Sequence, residues 1–126
     1  GGSMKVDVAL FSVGGIPLAL EVADILSLVE ARDVTSSKVI DLGVRWGLSQ
    51  PARPKQVAIL ARNAGALSLG LGATIESWDR GRIYALPEWI GASWPRELRR
   101  LCGLGEDGHI VLVIDPEGLG TVRSER

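Results

Sequence analysis

The sequence has one cysteine, one histidine and few aromatic residues, 5% of 126. A lone Cys102 excludes an internal disulfide and suits a reducing compartment. One histidine and one cysteine without ligating neighbours exclude the usual zinc site. Charge of one sign is also missing. Fourteen basic and 15 acidic side chains leave a net charge of −1, without the basic surplus of a nucleic-acid binder. Nor is there a long apolar run. The stretch from Met4 to Val29 is interrupted by Asp7, Glu21 and Asp24 and broken by Gly14, Gly15 and Pro17. A spanning helix needs about 20 mostly apolar residues in a row, so the stretch reads as part of a fold and not as a signal or membrane segment. What remains is 46% hydrophobic and 23% charged, the balance of an ordinary globular domain able to bury a core. Residues 1–3 read as an expression scar, residues 4–120 as one domain and residues 121–126 as a flexible tail.

The dominant hydrophobic period is two, in short segments separated by turn signals, which predicts an all-β barrel or sandwich. Val6, Val8 and Leu10 line one face of a first strand, and Ala9, Phe11 and Val13 line the other. Gly14-Gly15 is a hairpin turn pair, and Ile16 to Val22 is the return strand. Ala23 to Glu30 is too short and mixed to assign to helix or strand. Arg32 to Lys38 is a polar loop, Val39 to Leu42 a brief strand, and Gly43 to Leu48 one helical turn with Trp46 inward. Gln50 to Pro54 is a surface connection. Lys55 to Arg62 is apolar on both faces, as in a central strand. After a turn at Asn63 to Gly65, Ala66 to Gly72 alternates leucine with glycine, alanine or serine, a sign that a backbone or a ligand approaches closely or that a barrel bends there. Ile83 to Leu86 is a short strand. Trp94-Pro95-Arg96-Glu97 with Leu98 and Leu101 predicts a short helix with proline in its first turn. Asp107-Gly108 is a hairpin turn, His109 to Asp115 a final core strand, and Pro116 to Leu119 a turn or short helix.

The residue types that carry chemistry are present but isolated. His109 has no local nucleophile and acid to form a triad. Asp41 and Asp115 each end an apolar segment, where a strand-end cap is a simpler role than acid–base work. Gly65, Gly70 and Gly72 lack the strand-to-helix context and lysine of a phosphate loop. No catalytic residue, metal ligand or cofactor site is therefore expected, and the chain is read as a non-enzyme. Arg96, Arg99 and Arg100, joined by Arg80 and Arg82, form a basic cluster diluted by Glu97 and Glu106. Among Trp46, Trp78, Trp89 and Trp94, Trp46 reads as core, while Trp89 and Trp94 are open between core and interface.

Four pieces in order resemble the CheW-like chemotaxis coupling proteins. Val8 to Glu30 is similar to the family's opening strand pair and apolar stretch. VIDLGVRWGL, Val39 to Leu48, resembles its strand, Asp-Leu pair and helical turn. KQVAILARNAGALSLGLGATIESW resembles its paired central strands, and LGEDGHIVLVIDPEGL its final hairpin and closing turn. The resemblance spans nearly the whole chain and makes residues 4–120 a CheW-like domain. It implies two small SH3-like β-barrel lobes sharing a hydrophobic core, with short helical turns. It implies a cytoplasmic adaptor that grips the helical tip of a methyl-accepting chemoreceptor and contacts the regulatory domain of a histidine kinase, with no membrane insertion and no nucleic acid as partner.

The sequence departs from the family pattern in two places. The family usually places a Gly-x-x-Asn-Leu-Arg-Gly segment and a strand before the Asp-Leu pair, where this chain has only Ala31 to Lys38. The family also tends to carry an aspartate after the second central strand, where this chain has Gly72 or Ala73. The chain thus resembles the shortened coupling protein of myxobacterial frizzy-type systems, and kinase binding is expected to be weak or absent. Ile25 and Leu28, with Leu69 and Leu71 behind them, are the expected receptor-groove residues; plain core is the competing role for each. Alternative functions are a full coupling protein bridging receptor and kinase, and a small SH3-like barrel that binds nucleic acid.

Overall fold

The period-two segments pair into two sheets. The computed structural model describes residues 5–34, 39–48, 56–61, 65–71, 75–105 and 108–119. Strands β1 (Lys5–Val13), β2 (Ile16–Glu21), β7 (Ser77–Ala85), β8 (Arg100–Leu104) and β9 (His109–Val113) close a barrel in the order β1-β2-β9-β8-β7. Strands β3 (Ile25–Glu30), β4 (Val39–Asp41), β5 (Gln56–Leu60) and β6 (Leu67–Leu71) form a four-stranded sheet in the order β3-β5-β6-β4. Three single-turn α-helices, α1 (Leu42–Arg45), α2 (Glu88–Gly91) and α3 (Pro116–Leu119), and two 3₁₀ turns, Val22–Asp24 and Ala31–Asp33, complete the described elements.

The β1–β2 hairpin follows from its turn. Gly14 and Gly15 have φ of 57° and 82°, as a type I′ turn requires, and Val13 pairs with Ile16 across it. The two faces of β1 then serve two cores. Val8, with Val6 and Leu10 beside it, packs inside the barrel against Ala19, Cys102, Leu104, Val111 and Val113. Phe11 and Val13 point the other way, into a core shared with the second sheet through Leu42, Ala58, Leu60, Leu69 and Leu71. Each aliphatic side chain so buried contributes roughly 1.5–3 kcal/mol. The shared core holds the two lobes together.

Ala23 to Glu30, unassigned by pattern, is a 3₁₀ turn at Val22–Asp24 followed by β3, an edge strand antiparallel to β5. The expected short strand at Ile83 to Leu86 is much longer: β7 starts at Ser77 and pairs with β1 over Ser77 to Arg82. Its outward positions are Trp78, Arg80, Arg82 and Tyr84, so it has no apolar stripe to betray it, and the ladders to β1 and β8 supply its stability. The helix expected over Trp94 to Leu101 does not form. Helical structure lies earlier, in α2, and Arg100 to Leu104 is β8. The barrel needs a strand between β7 and β9, and the alternation of Cys102 and Leu104 into its interior outweighs a Pro-led helix start. The scar, the tail, Asn63, Ala64, Gly72, Asp107 and the Gln50 to Pro54 connection lie outside the described residues.

Candidate protein-docking site

The expected groove residues divide between a rim and a floor. Ile25 and Leu28 are half-buried on β3, opposite Leu60 and Ala58 of β5, and pack against the shared core. Leu69 and Leu71 on β6 are 0% exposed and belong to that core outright. Next to Leu69, Gly70 is buried between Val57 of β5 and Asp41 of β4, so the glycine marks close strand pairing. Leu26, beside Ile25 on the edge strand, is among the exposed large hydrophobic residues. The accessible apolar rim therefore comprises Ile25, Leu26 and Leu28.

Two adjoining charged networks tie separate segments of the chain together, and sequence reading missed both. Glu97, only 2% exposed, accepts hydrogen bonds from Arg45 Nε at 2.9 Å and Trp46 Nε1 at 2.8 Å. It thereby ties the loop after α2 to the turn after β4. Burial alone would raise its carboxyl pKa, but the Trp46 and Arg45 hydrogen bonds outweigh it and hold the pKa below the usual glutamate value. No local pattern links residues that lie 51 and 52 positions apart.

In the second network, Arg100 meets Glu21 at 2.5 Å, Asp115 at 3.5 Å and Asp24 at 3.9 Å. Asp24 Oδ2 is buried without a hydrogen bond. Burial and the neighbouring Glu21 push the Asp24 carboxyl upward, against the pull of Arg100. Arg100 is thus committed internally, while Arg96 and Arg99 are exposed and Arg80 pairs with Asp7 at 3.2 Å. The arginines do not form one basic patch.

The residues considered for catalysis are placed apart. His109 is exposed at the start of β9, opposite Leu104. Cys102 is buried in the barrel, and burial raises its thiol pKa, the opposite of nucleophile activation. Asp41 caps α1 by accepting from the Val44 amide at 3.2 Å, and Asp115 accepts from the Glu117 amide. Among the described residues no group of three His, Cys, Asp or Glu side chains could hold a metal, and no helix is long and apolar enough to cross a membrane. Trp46 is half-buried against the shared core, as expected, whereas Trp94 is exposed and Trp89 is 80% exposed.

No protein-family model matches the chain, and no curated protein matches it. Its structure is similar to the crystal structure of the scaffolding protein TtCheW from Thermoanaerobacter tengcongensis, with a TM-score of 0.66 and 14% identity over 97% of each chain. A closed five-stranded barrel and a second sheet, joined through one shared core, give this chain a CheW-like fold.

Proposed function

We propose that this chain is a non-enzymatic adaptor of a bacterial chemosensory array. It works in the cytoplasm, docks to the cytoplasmic tip of a methyl-accepting chemoreceptor, and binds the histidine kinase regulatory domain weakly or not at all. The observation that carries the reading is the likeness of the whole two-lobe fold to a protein described as a scaffold, over 97% of both chains. The apolar rim on β3 supports it. Ile25 and Leu28 offer a partner helix an apolar edge, and Leu69 and Leu71 back that edge as a rigid floor.

The second lobe supports a weak kinase contact. Strand β3 ends at Glu30 and β4 begins at Val39, so only Ala31 to Lys38 connects the two edge strands of the sheet. A strand and loop missing from this gap remove a few hundred square ångströms from a surface that buries about 800 Å² per partner in a standard interface. Loss of one or two anchors costs several kcal/mol, and about 1.4 kcal/mol is a tenfold change in affinity. A pull-down with a receptor cytoplasmic fragment and, separately, a kinase regulatory domain tests both halves. Receptor retention without kinase is expected. Equal retention of both makes the chain an ordinary coupling protein, and retention of neither rejects the adaptor.

A further inference from the structure

The outer face of the barrel carries a second feature, away from the apolar rim on β3. Along β7, alternate residues point outward: Trp78, Arg80, Arg82 and Tyr84. Trp78 is 57% exposed and Tyr84 50%. Cross-strand partners share a face, so Lys5 of β1 stands opposite Arg82, and Gly103 of β8 lies on its other side. Beyond Gly103 comes the exposed Ile110 of β9. Gly103 forms the floor of a hollow of about 440 Å³ whose walls include Lys5, Arg82 and Tyr84.

The Lys5–Arg82 pair is the unusual element. Like charges directly opposite on neighbouring strands, with Cβ atoms about 5 Å apart, destabilise a sheet. One step along the same two strands, Asp7 stands opposite Arg80 and pairs with it at 3.2 Å. Among the described residues no carboxylate pairs with Lys5 or Arg82, although Arg80, Arg45 and Arg100 all have one. Among the described residues the strand pair therefore keeps two uncompensated cations at the rim of a hollow, between exposed aromatic rings. Tryptophan, tyrosine and arginine are also the residue types that dominate binding hot spots.

We propose that this face is a second docking surface, and that its occupant is an acidic segment of a partner protein. One carboxylate sits between Lys5 and Arg82, and an apolar side chain fills the hollow over Gly103 against Tyr84. A polynucleotide fits less well. Two such cations are few beside the six to ten or so phosphate contacts of typical binders, and Asp7 on the same face would repel its backbone. The inference does not depend on the receptor contact, which lies on the other lobe.

NMR titration of the uniformly ¹⁵N-labelled full chain tests it, with a short blocked peptide of alternating glutamate and leucine as probe. The expected result is saturable shifts at Lys5, Arg82, Tyr84 and Gly103, weakened at least tenfold by Arg82→Glu and by Arg82→Gln. Both variants must keep the wild-type spectrum elsewhere, since Arg82 is exposed. The glutamine–leucine peptide should not bind. No binding of the acidic peptide, shifts mapping elsewhere, or unchanged affinity in both variants overturns the proposal. So does binding of oligothymidylate in place of the peptide. The chain's own Glu106 and Asp107 are the remaining rivals. If Glu106→Gln with Asp107→Asn moves the Lys5 and Arg82 signals as the peptide would, the site is filled from within and the proposal fails.

Discussion

At the scale of single residues, burial separates structural leucines from accessible ones, and the sequence pattern alone could not. Ile25, Leu28, Leu69 and Leu71 share the same chemistry, yet the last two are sealed in the shared core. Leu69→Ala is expected to cost about 2–5 kcal/mol in urea unfolding, as cavity formation does. The carboxylates make opposite pH predictions. The Glu97 pKa is depressed on folding, so its contribution is present above the ordinary value of 4.5 and is lost as pH falls through its lower folded value. Glu97→Gln should cost about 1–3 kcal/mol at pH 7, because Arg45 loses its buried partner, and the difference from wild type should shrink in acid. The Asp24 pKa is raised on folding, so its contribution is present below the ordinary value of 3.8 and is lost as pH rises through its folded value. Asp24→Asn should therefore stabilise the neutral protein by about 1 kcal/mol, with the gain fading in acid. Thermal melts across pH read both signs. Neither network was legible beforehand, because each joins residues brought together only by the closed fold.

At the scale of elements, what was legible follows from whether a strand carries its own apolar stripe. Strands β1, β2, β5, β6 and β9 do, and their residues were expected in strands. Strand β7 does not: its outward side is Trp78, Arg80, Arg82 and Tyr84, and its inward side includes Gly81. Strand β8 was hidden by a proline-led segment with helical leucine spacing. Both errors come from reading local pattern where long-range pairing decides. Gly81 shows what that pairing demands. A Cβ there would collide with Cys102 Sγ and lie 2.5 Å from the Gly103 carbonyl oxygen. Backbone cannot yield as a flexible side chain does, so Gly81→Ala should cost about 1–3 kcal/mol and open the β7–β8 ladder. Hydrogen exchange should show faster exchange at Ile83 and Leu104 while β5 and β6 keep their protection. Uniform protection in the variant would mean that the barrel tolerates the methyl group.

At the scale of the whole molecule, the two lobes are unequal: one barrel is closed and the other sheet has β3 and β4 at its edges. The four resembling segments lie, in order, on β1–β3, β4–α1, β5–β7 and β8–α3, and so the fold class was readable from the chain even at 14% identity to a solved relative in fold. The apolar rim on β3 was readable only in part. Its position on β3 depends on which residues of an apolar stretch the sheet leaves open, and pattern gave no face to Ala23 to Glu30. The kinase prediction belongs to the connection between β3 and β4, which is limited to Ala31 to Lys38. Calorimetry with a kinase regulatory domain should give no heat of specific binding at concentrations that detect micromolar affinity. The proposed contact with a receptor tip is through the β3 rim. Its most direct test is titration calorimetry of the chain and of Ile25→Asp against a chemoreceptor cytoplasmic-tip fragment, with circular dichroism to confirm the fold of the variant. Saturable binding by the wild-type chain is expected, reduced at least tenfold by a charge that must be desolvated against an apolar helix. Absence of binding by the wild-type chain, or equal affinity in a folded Ile25→Asp variant, would contradict it.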